Sequence, residues 1–252
     1  MSTDSSITSE VSPVISNVPI EEAIRSNSAE VLIGAAANPS LSEDLALTLL
    51  KRMDLPGEVL ERLGKNTSAM KSRKVKLALV EHPKTPRHIS LPTARHLFTF
   101  DLMHVTLTPA VPADVKAVAD GTLCNRMETI TSGEKLTLAH RASGRVAAEL
   151  LADSEPRVIH AAMENPRLTE AQVIKALMST NASPVFVQAI CHHTKWSLRR
   201  EVRVALLRSQ HTPLARALEF VRSLPAALVK EVLHGSRLPA NIKENLLKSL
   251  NS

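Results

Sequence analysis

The chain has 252 residues and a net charge of +6, and it contains two Cys, four Phe, one Trp and no Tyr. Two cysteines provide neither a disulfide framework nor a metal-ligand spacing, which indicates a reducing compartment. No apolar run reaches the roughly 18 residues that a bilayer-spanning helix needs, and the start lacks the features of a secretory signal. We therefore expect a cytoplasmic protein without a membrane partner.

The apolar residues make up 44% of the chain and are mainly Leu, Ala and Val, while Gly occurs only seven times. Small and branched side chains suit close helix–helix packing, whereas strand-rich domains draw on aromatic residues. The composition therefore predicts an all-α fold.

The N-terminal segment differs from the rest of the chain. Residues 1–19 are rich in Ser, Thr, Val and Pro and have no helical period, so we predict a disordered tail. Residues 1–29 carry a net charge of −3, which leaves +9 on the rest of the chain. That excess of positive charge favours anionic partners.

From residue 20 onward the apolar residues recur at spacings of three and four, which is typical of amphipathic helices. Asn38 and Asn165 each precede a proline, and we expect each to end a helix in the left-handed conformation. Thr85 and Thr212 also precede prolines, and we expect each to cap a helix whose first residue is that proline. These pairs predict short helices separated by polar turns.

The sequence repeats itself at a constant offset. Residues 30–123 align without a gap with residues 157–250, 127 positions later, and apolar positions and turn residues stay in phase. We interpret this as an internal tandem duplication, with residues 124–156 as an intervening helical repeat. Near the start of the second copy, Thr169 and Gln172 have the spacing of a capping box.

Three segments carry a family resemblance: NPSLSEDLALTLL (38–50), HPKTPRHISL (82–91) and NPRLTEAQVIKAL (165–177). They resemble bacterial leucine-rich-variant repeats and, more loosely, HEAT repeats. The resemblance implies one α-solenoid domain over residues 20–252, and it implies no particular function. Some leucine-rich-variant proteins hold an iron–sulfur cluster on N-terminal cysteines. Those cysteines are missing in this chain, so no cofactor is expected.

Basic residues cluster at equivalent points of the two copies. The candidate anion-binding or nucleic-acid-binding residues are Lys71, Arg73, Lys74, Lys76 and Arg95 in the first copy, and Lys195, Arg199, Arg200, Arg203 and Arg222 in the second. Such rows can follow a phosphate backbone or an acidic protein surface. The alternative is that they are solvated helix faces that complement the partially negative C-termini of helices.

Two further features of the second copy admit a structural explanation. Trp196 lies inside the second basic cluster, and we expect it to pack in the interior rather than to stack on a base. Cys191, His192 and His193 are consecutive, but neighbours in a helix point about 100° apart, so no shared metal ion is expected.

No Gly-rich phosphate loop, nucleophile elbow or HExxH motif occurs, so we expect no enzymatic activity. The favoured function is a non-catalytic scaffold that binds another protein through its solenoid surface. The alternative is nucleic-acid binding, to DNA or RNA, through the duplicated basic patches. A HEAT-type repair protein resembling a DNA glycosylase is the weaker alternative, because such a site relies on several aromatic residues.

Overall fold

The computed structural model describes residues 19–250 of the chain. Over these residues the protein is all-α, with seventeen α-helices, two short 3-10 turns and no strand. The predicted all-α class is confirmed. The predicted disordered tail lies outside the described residues, apart from Pro19, which is exposed.

Most of the helices are short, with eight to thirteen residues, and polar turns separate them. They are α1 (Ile20–Ala23), α2 (Ala29–Ala37), α3 (Glu43–Leu50), α4 (Gly57–Lys65), α5 (Arg73–Glu81), α6 (Arg87–Ala94), α7 (Thr99–Leu107), α8 (Ala113–Asn125), α9 (Ser132–Arg141), α10 (Gly144–Glu149), α11 (Pro156–Met163), α12 (Glu170–Met178), α13 (Pro184–His192), α14 (Arg200–Arg208), α15 (Leu214–Arg222), α16 (Ala226–His234) and α17 (Ala240–Ser249). None of the described helices has both the length and the apolar character needed to cross a bilayer.

The chain forms two compact units. The first consists of the described residues up to Asp101 together with Thr108–Ala119, and the second of Leu102–Leu107 and the residues from Asp120 onward. Within each unit a helix packs against the second helix along the chain. In the first unit α2 packs on α4 and α3 on α5; in the second α9 packs on α11, α11 on α13, α10 on α12, α12 on α14, α14 on α16 and α15 on α17.

The helix boundaries follow the same offset as the sequence alignment. Every helix from α2 to α8 has a counterpart in the series α11 to α17 whose first residue lies 127 positions later. The last residues are aligned as well in the pairs α4 and α13, α5 and α14, and α7 and α16. Helices α9 and α10 fall between the two series.

The predicted capping box is present at the start of α12. Thr169 Oγ1 accepts from the backbone N of Gln172, and Gln172 Oε1 accepts from the backbone N of Thr169 at 2.9 Å. A second capping box, formed by Thr131 and Glu134, opens α9. Each box satisfies two backbone donors that the first turn of a helix leaves unpaired.

The prediction that Thr85 and Thr212 cap the following helices is wrong. Their hydroxyls point backwards and donate to the carbonyls of Leu79 and Leu206, at 2.6 Å in both cases. Both threonines are only 2% exposed, so their hydroxyls need an internal partner. The proline after each threonine is the N-cap residue rather than the first helical residue.

The predicted left-handed conformation of Asn38 is also wrong. Asn38 has φ −68° and ψ 124°, which is extended backbone, and its Oδ1 accepts from the backbone N of Ser40 at 2.9 Å. The following proline accounts for this, because it restricts the residue before it to extended geometry. Asn38 thus ends α2 with extended backbone and not with a left-handed residue.

Buried turn residues link several helices to the helix two positions earlier along the chain. Asn66, after α4, donates from Nδ2 to the carbonyls of Ala36 and Asn38 at the end of α2, at 3.0 and 2.9 Å. His82, after α5, lies with Nε2 3.0 Å from the carbonyl of Arg52, just beyond α3. We call these side chains rungs. They satisfy helix-end carbonyls that would otherwise be buried without a partner.

A third rung is Asn165, which follows α11 and is fully buried. Its Nδ2 donates to the carbonyls of Ala139 and Ala142 at the end of α9, at 2.7 and 3.2 Å. Its Oδ1 accepts from the backbone N of Arg167 at 2.8 Å. One side chain therefore closes its own turn and also caps the neighbouring helix of the same unit.

Candidate functional site

The first basic cluster gathers at the start of α5. Lys71 ends a 3-10 turn, Arg73 and Lys74 are the first two helical residues, and Lys76 stands in the same turn of the helix. The N-terminus of a helix carries partial positive charge, so cations are unfavourable there. Arg73, Lys74 and Lys76 therefore do not complement the C-terminus of their own helix, whereas Lys71 lies in the last turn of the 3-10 helix. Arg95 stands at a helix C-terminus, as the C-cap residue of α6.

Arg73 is held by a carboxylate and an aromatic ring. Its Nε and Nη2 donate to the two carboxylate oxygens of Asp101 at 2.7 and 2.9 Å, and Asp101 is only 7% exposed. The guanidinium carbon of Arg73 also lies 4.8 Å from the centre of the Phe98 ring. Arg73 is thus fixed in place by a two-pronged ion pair and a cation–π contact.

Lys74 is also paired with a carboxylate. Its Nζ lies 3.1 Å from Oε1 of Glu43, while Ser72 Oγ donates to Oε2 of the same carboxylate at 2.7 Å. The hydrogen bond from Ser72, and then that from Lys74, lower the pKa of Glu43. At least two cations of the first cluster therefore have their charge balanced by the protein itself.

Two aromatic side chains are exposed beside this cluster. Phe98 is 62% exposed in the turn between α6 and α7, and Phe100, in the first turn of α7, is 40% exposed. They are two of the four phenylalanines in the chain. Sequence reasoning missed them. The available signal was that Phe98 falls outside the apolar period of both adjacent helices and aligns with a proline in the second copy.

The second basic cluster lies at the start of α14. Arg199 is the N-cap residue and makes no side-chain cap hydrogen bond, and Arg200 is the first helical residue. Both side chains are exposed, and Arg200 Nε lies 4.0 Å from Oε1 of Glu201, the outer limit of an ion pair. Leu198, which precedes them, is 69% exposed.

The other three predicted residues of the second cluster make contacts within the protein or lie at the end of a helix. Arg203 is half-buried and donates from Nε to the carbonyl of Ser197 at 2.7 Å. Lys195 Nζ lies 4.1 Å from the centre of the Trp196 ring. Arg222 is in the last turn of α15, where a cation complements the partial negative charge of the helix end.

Trp196 is an interior residue, as predicted. It is 2% exposed, and its Nε1 donates to the carbonyl of Met163 at 2.9 Å. That carbonyl stands at the end of α11, so the indole acts as a rung of the second unit. An indole held in this way cannot stack on a nucleobase without unfolding the turn that carries it.

Nothing in the described part of the chain resembles a metal centre. No group of three or more His, Cys, Asp or Glu residues among residues 19–250 is placed to hold an ion. Both cysteines are free thiols. Burial raises the pKa of Cys124 and of Cys191 to about 11, which keeps both thiols protonated and unreactive near neutral pH.

Comparison of the chain with protein-family models, with curated proteins and with solved structures gives no match.

Proposed function

We propose that the protein is a non-catalytic α-solenoid scaffold of leucine-rich-variant or HEAT-like type, which binds another protein through its surface. The helix-to-helix rungs and the packing of each helix on the second one along support a repeat architecture. The aligned starting positions of α2 to α8 and α11 to α17 support a tandem duplication. A solenoid presents extended surfaces that suit macromolecular partners.

The exposed Phe98 beside the fixed guanidinium of Arg73 is the observation that carries the proposal. Aromatic residues and Arg are enriched where proteins bind proteins. Because Asp101 and Glu43 balance the charges of Arg73 and Lys74, the surface is amphipathic rather than a plain row of cations. It is therefore better suited to a protein partner than to a phosphate backbone.

Replacement of Phe98 by Ser should weaken partner binding while leaving the fold intact, because Phe98 is exposed and stands outside the core cluster of its unit. An aromatic anchor of an interface contributes about 2 kcal/mol or more, equivalent to roughly a 30-fold loss of affinity. The measurement is affinity capture of partners by wild type and Phe98→Ser from an extract of the native cells treated with nuclease, followed by titration of the purified partner.

Leu214→Ser provides the matched control, because Leu214 is a 36%-exposed apolar residue of the second unit. Arg73 is unsuitable for this test, since its removal would leave the buried carboxylate of Asp101 unpaired. A captured partner that binds Phe98→Ser as tightly as wild type would contradict the proposal.

Nucleic-acid binding is a second candidate, and the exposed arginines that open α14 favour it. Arg199 and Arg200 stand at a helix N-terminus without a side-chain cap, and both the cations and the helix end favour an anion. Lys and Arg on phosphates carry no base information, so binding of this kind would be weakly dependent on sequence and strongly dependent on salt.

If this candidate is correct, Arg199→Glu with Arg200→Glu should abolish gel shifts of single-stranded and duplex DNA and RNA, and the wild-type affinity should fall steeply between two salt concentrations. Arg208→Glu, at the other end of α14, reverses an exposed charge on the same helix and controls for the effect of a charge reversal away from Arg199 and Arg200. Absence of any shift by wild type at micromolar concentration in low salt would rule this candidate out.

A further inference from the structure

The turn after α13 departs from the rung pattern of the first unit. His193 stands at the position of the second copy that aligns with Asn66. Asn66 donates to the carbonyl of Ala36, whereas the equivalent carbonyl, that of Met163, accepts from Trp196 Nε1. In the second unit Trp196, and not His193, therefore makes the hydrogen bond to the end of α11.

One side of the His193 ring closes its own turn. Nδ1 accepts from the backbone N of Lys195 at 3.2 Å, as Oδ1 of Asn66 accepts from the backbone N of Ser68 at 3.0 Å. This bond places the proton of the neutral ring on Nε2. A protonated ring carries a hydrogen on Nδ1 as well, which would meet the N–H of Lys195 head-on. Protonation of the ring and closure of the turn are therefore incompatible.

The other side of the ring faces an open groove of about 490 Å³ between α11 and α13. The His193 side chain is only 6% exposed, and its Nε2 has no hydrogen-bond partner among the described residues. Glu164 Oε1 lies 3.0 Å from Nε2 but away from the direction of the N–H bond. A buried donor without an aligned acceptor is costly, so the closed turn leaves the ring poorly satisfied on this side.

The charged and titratable groups that face His193 come from each element around it. Glu164 and His160 lie on the α11 side, His192 ends α13, and Lys195 lies in the turn itself. Burial is the main influence and lowers the pKa of His193; Lys195 and His160 lower it further, while Glu164 opposes them. Near neutral pH the ring is accordingly uncharged and the turn is closed.

We propose that the turn formed by residues 193–199 is a proton-sensitive latch, in which protonation of His193 breaks its bond to Lys195 and releases the indole of Trp196. The turn leads directly into Arg199, so opening it also loosens the start of α14 and the exposed Leu198–Arg200 surface. The latch is a property of this turn alone and does not depend on which partner the protein binds.

The direction of the pH dependence follows from linkage. A histidine whose pKa is lower in the folded than in the unfolded chain stabilises the fold at and above its ordinary pKa of about 6.5, and that stabilisation is lost as the pH falls through the folded value. Between the two values the folding equilibrium constant falls by about tenfold per pH unit.

The sole tryptophan of the chain stands beside the latch and reports on it, since the His193 and Trp196 ring centres are 6.4 Å apart. Trp196 emission should change in one step as wild type is titrated from pH 8 towards pH 4. His193→Asn should abolish that step and keep the turn, because Asn66 makes the same bond in the first unit. His160→Asn and His192→Asn should retain the step, since these side chains line the groove but do not close the turn.

Equal emission changes in wild type and His193→Asn would overturn the proposal, as would a flat wild-type titration. The ring carbon-bound proton signal of His193, followed by NMR in the wild-type protein, gives a second measurement that does not require a folded variant. A His193 pKa at or above the ordinary histidine value would also overturn it.

Discussion

Asn165→Ala is expected to lower the free energy of unfolding by about 3 kcal/mol, since it removes three hydrogen bonds worth roughly 1 kcal/mol each. The carbonyls of Ala139 and Ala142 lose their donor, and the backbone N of Arg167 loses its acceptor. The alanine methyl group reaches none of them, and the site is fully buried. Urea unfolding followed by circular dichroism measures the loss.

Asn38→Ala is the matched control, because Asn38 occupies the equivalent position of the first copy. Only one hydrogen bond of its side chain is involved, from the exposed backbone N of Ser40 to Oδ1. The expected loss is about 1 kcal/mol or less. Similar losses for the two variants would show that the rung of Asn165 contributes no more than the closure of its own turn.

Gly144→Ala should also be strongly destabilising, although Ala is the better helix former. A β-carbon at residue 144, the first residue of α10, would stand 2.3 Å from the backbone carbonyl oxygen of Arg167 and 2.9 Å from Oε1 of Gln172. Neither atom can move away easily, because the oxygen of Arg167 belongs to the main chain and Oε1 of Gln172 is held in the capping box of α12. Forcing such an overlap costs about 2 kcal/mol or more.

Gly133→Ala should have the opposite effect and stabilise the protein by about 0.5–1 kcal/mol, because it reduces the freedom of the unfolded chain. Gly133 lies in the first turn of α9, and a β-carbon there would meet no atom within 4 Å. Thermal unfolding of Gly144→Ala, Gly133→Ala and wild type shows directly whether each replacement raises or lowers the stability. A Gly144→Ala variant as stable as wild type would mean that α10 can shift away from α12 without cost.

The parts of the fold that could be predicted were those encoded by neighbouring residues. The capping box of Thr169 and Gln172 needs a spacing of three, which is visible in any sequence. The helical period likewise depends on residues within two turns. Trp196 was expected to pack in the interior, and it is buried, as is Ala69 at the aligned position of the first copy. Local chemistry therefore predicted the all-α class and the start of α12.

The sequence did not predict contacts for which a side chain has more than one possible partner. Thr85 can bond forwards to the helix it precedes or backwards to the one it follows, and only its burial against the end of α5 decides between them. The pairing of Arg73 with Asp101 joins residues 28 positions apart, so the basic cluster appeared more strongly charged in the sequence than it is in the fold. The exposure of Phe98 likewise depends on the conformation of the turn between α6 and α7, which several residues determine together.

The rungs also bear on the order in which the chain can assemble. They join residues that are only 23 to 33 positions apart, so none requires a distant part of the chain to be present. Contacts of such short range keep the contact order low, which is typical of rapid folding. During synthesis, a helix pair can close its rung soon after its second helix has emerged, because the carbonyl to be satisfied always precedes the side chain that satisfies it. In each of these hydrogen bonds the donor side chain follows the acceptor carbonyl in the sequence, so the acceptor has already been synthesised when the donor leaves the ribosome.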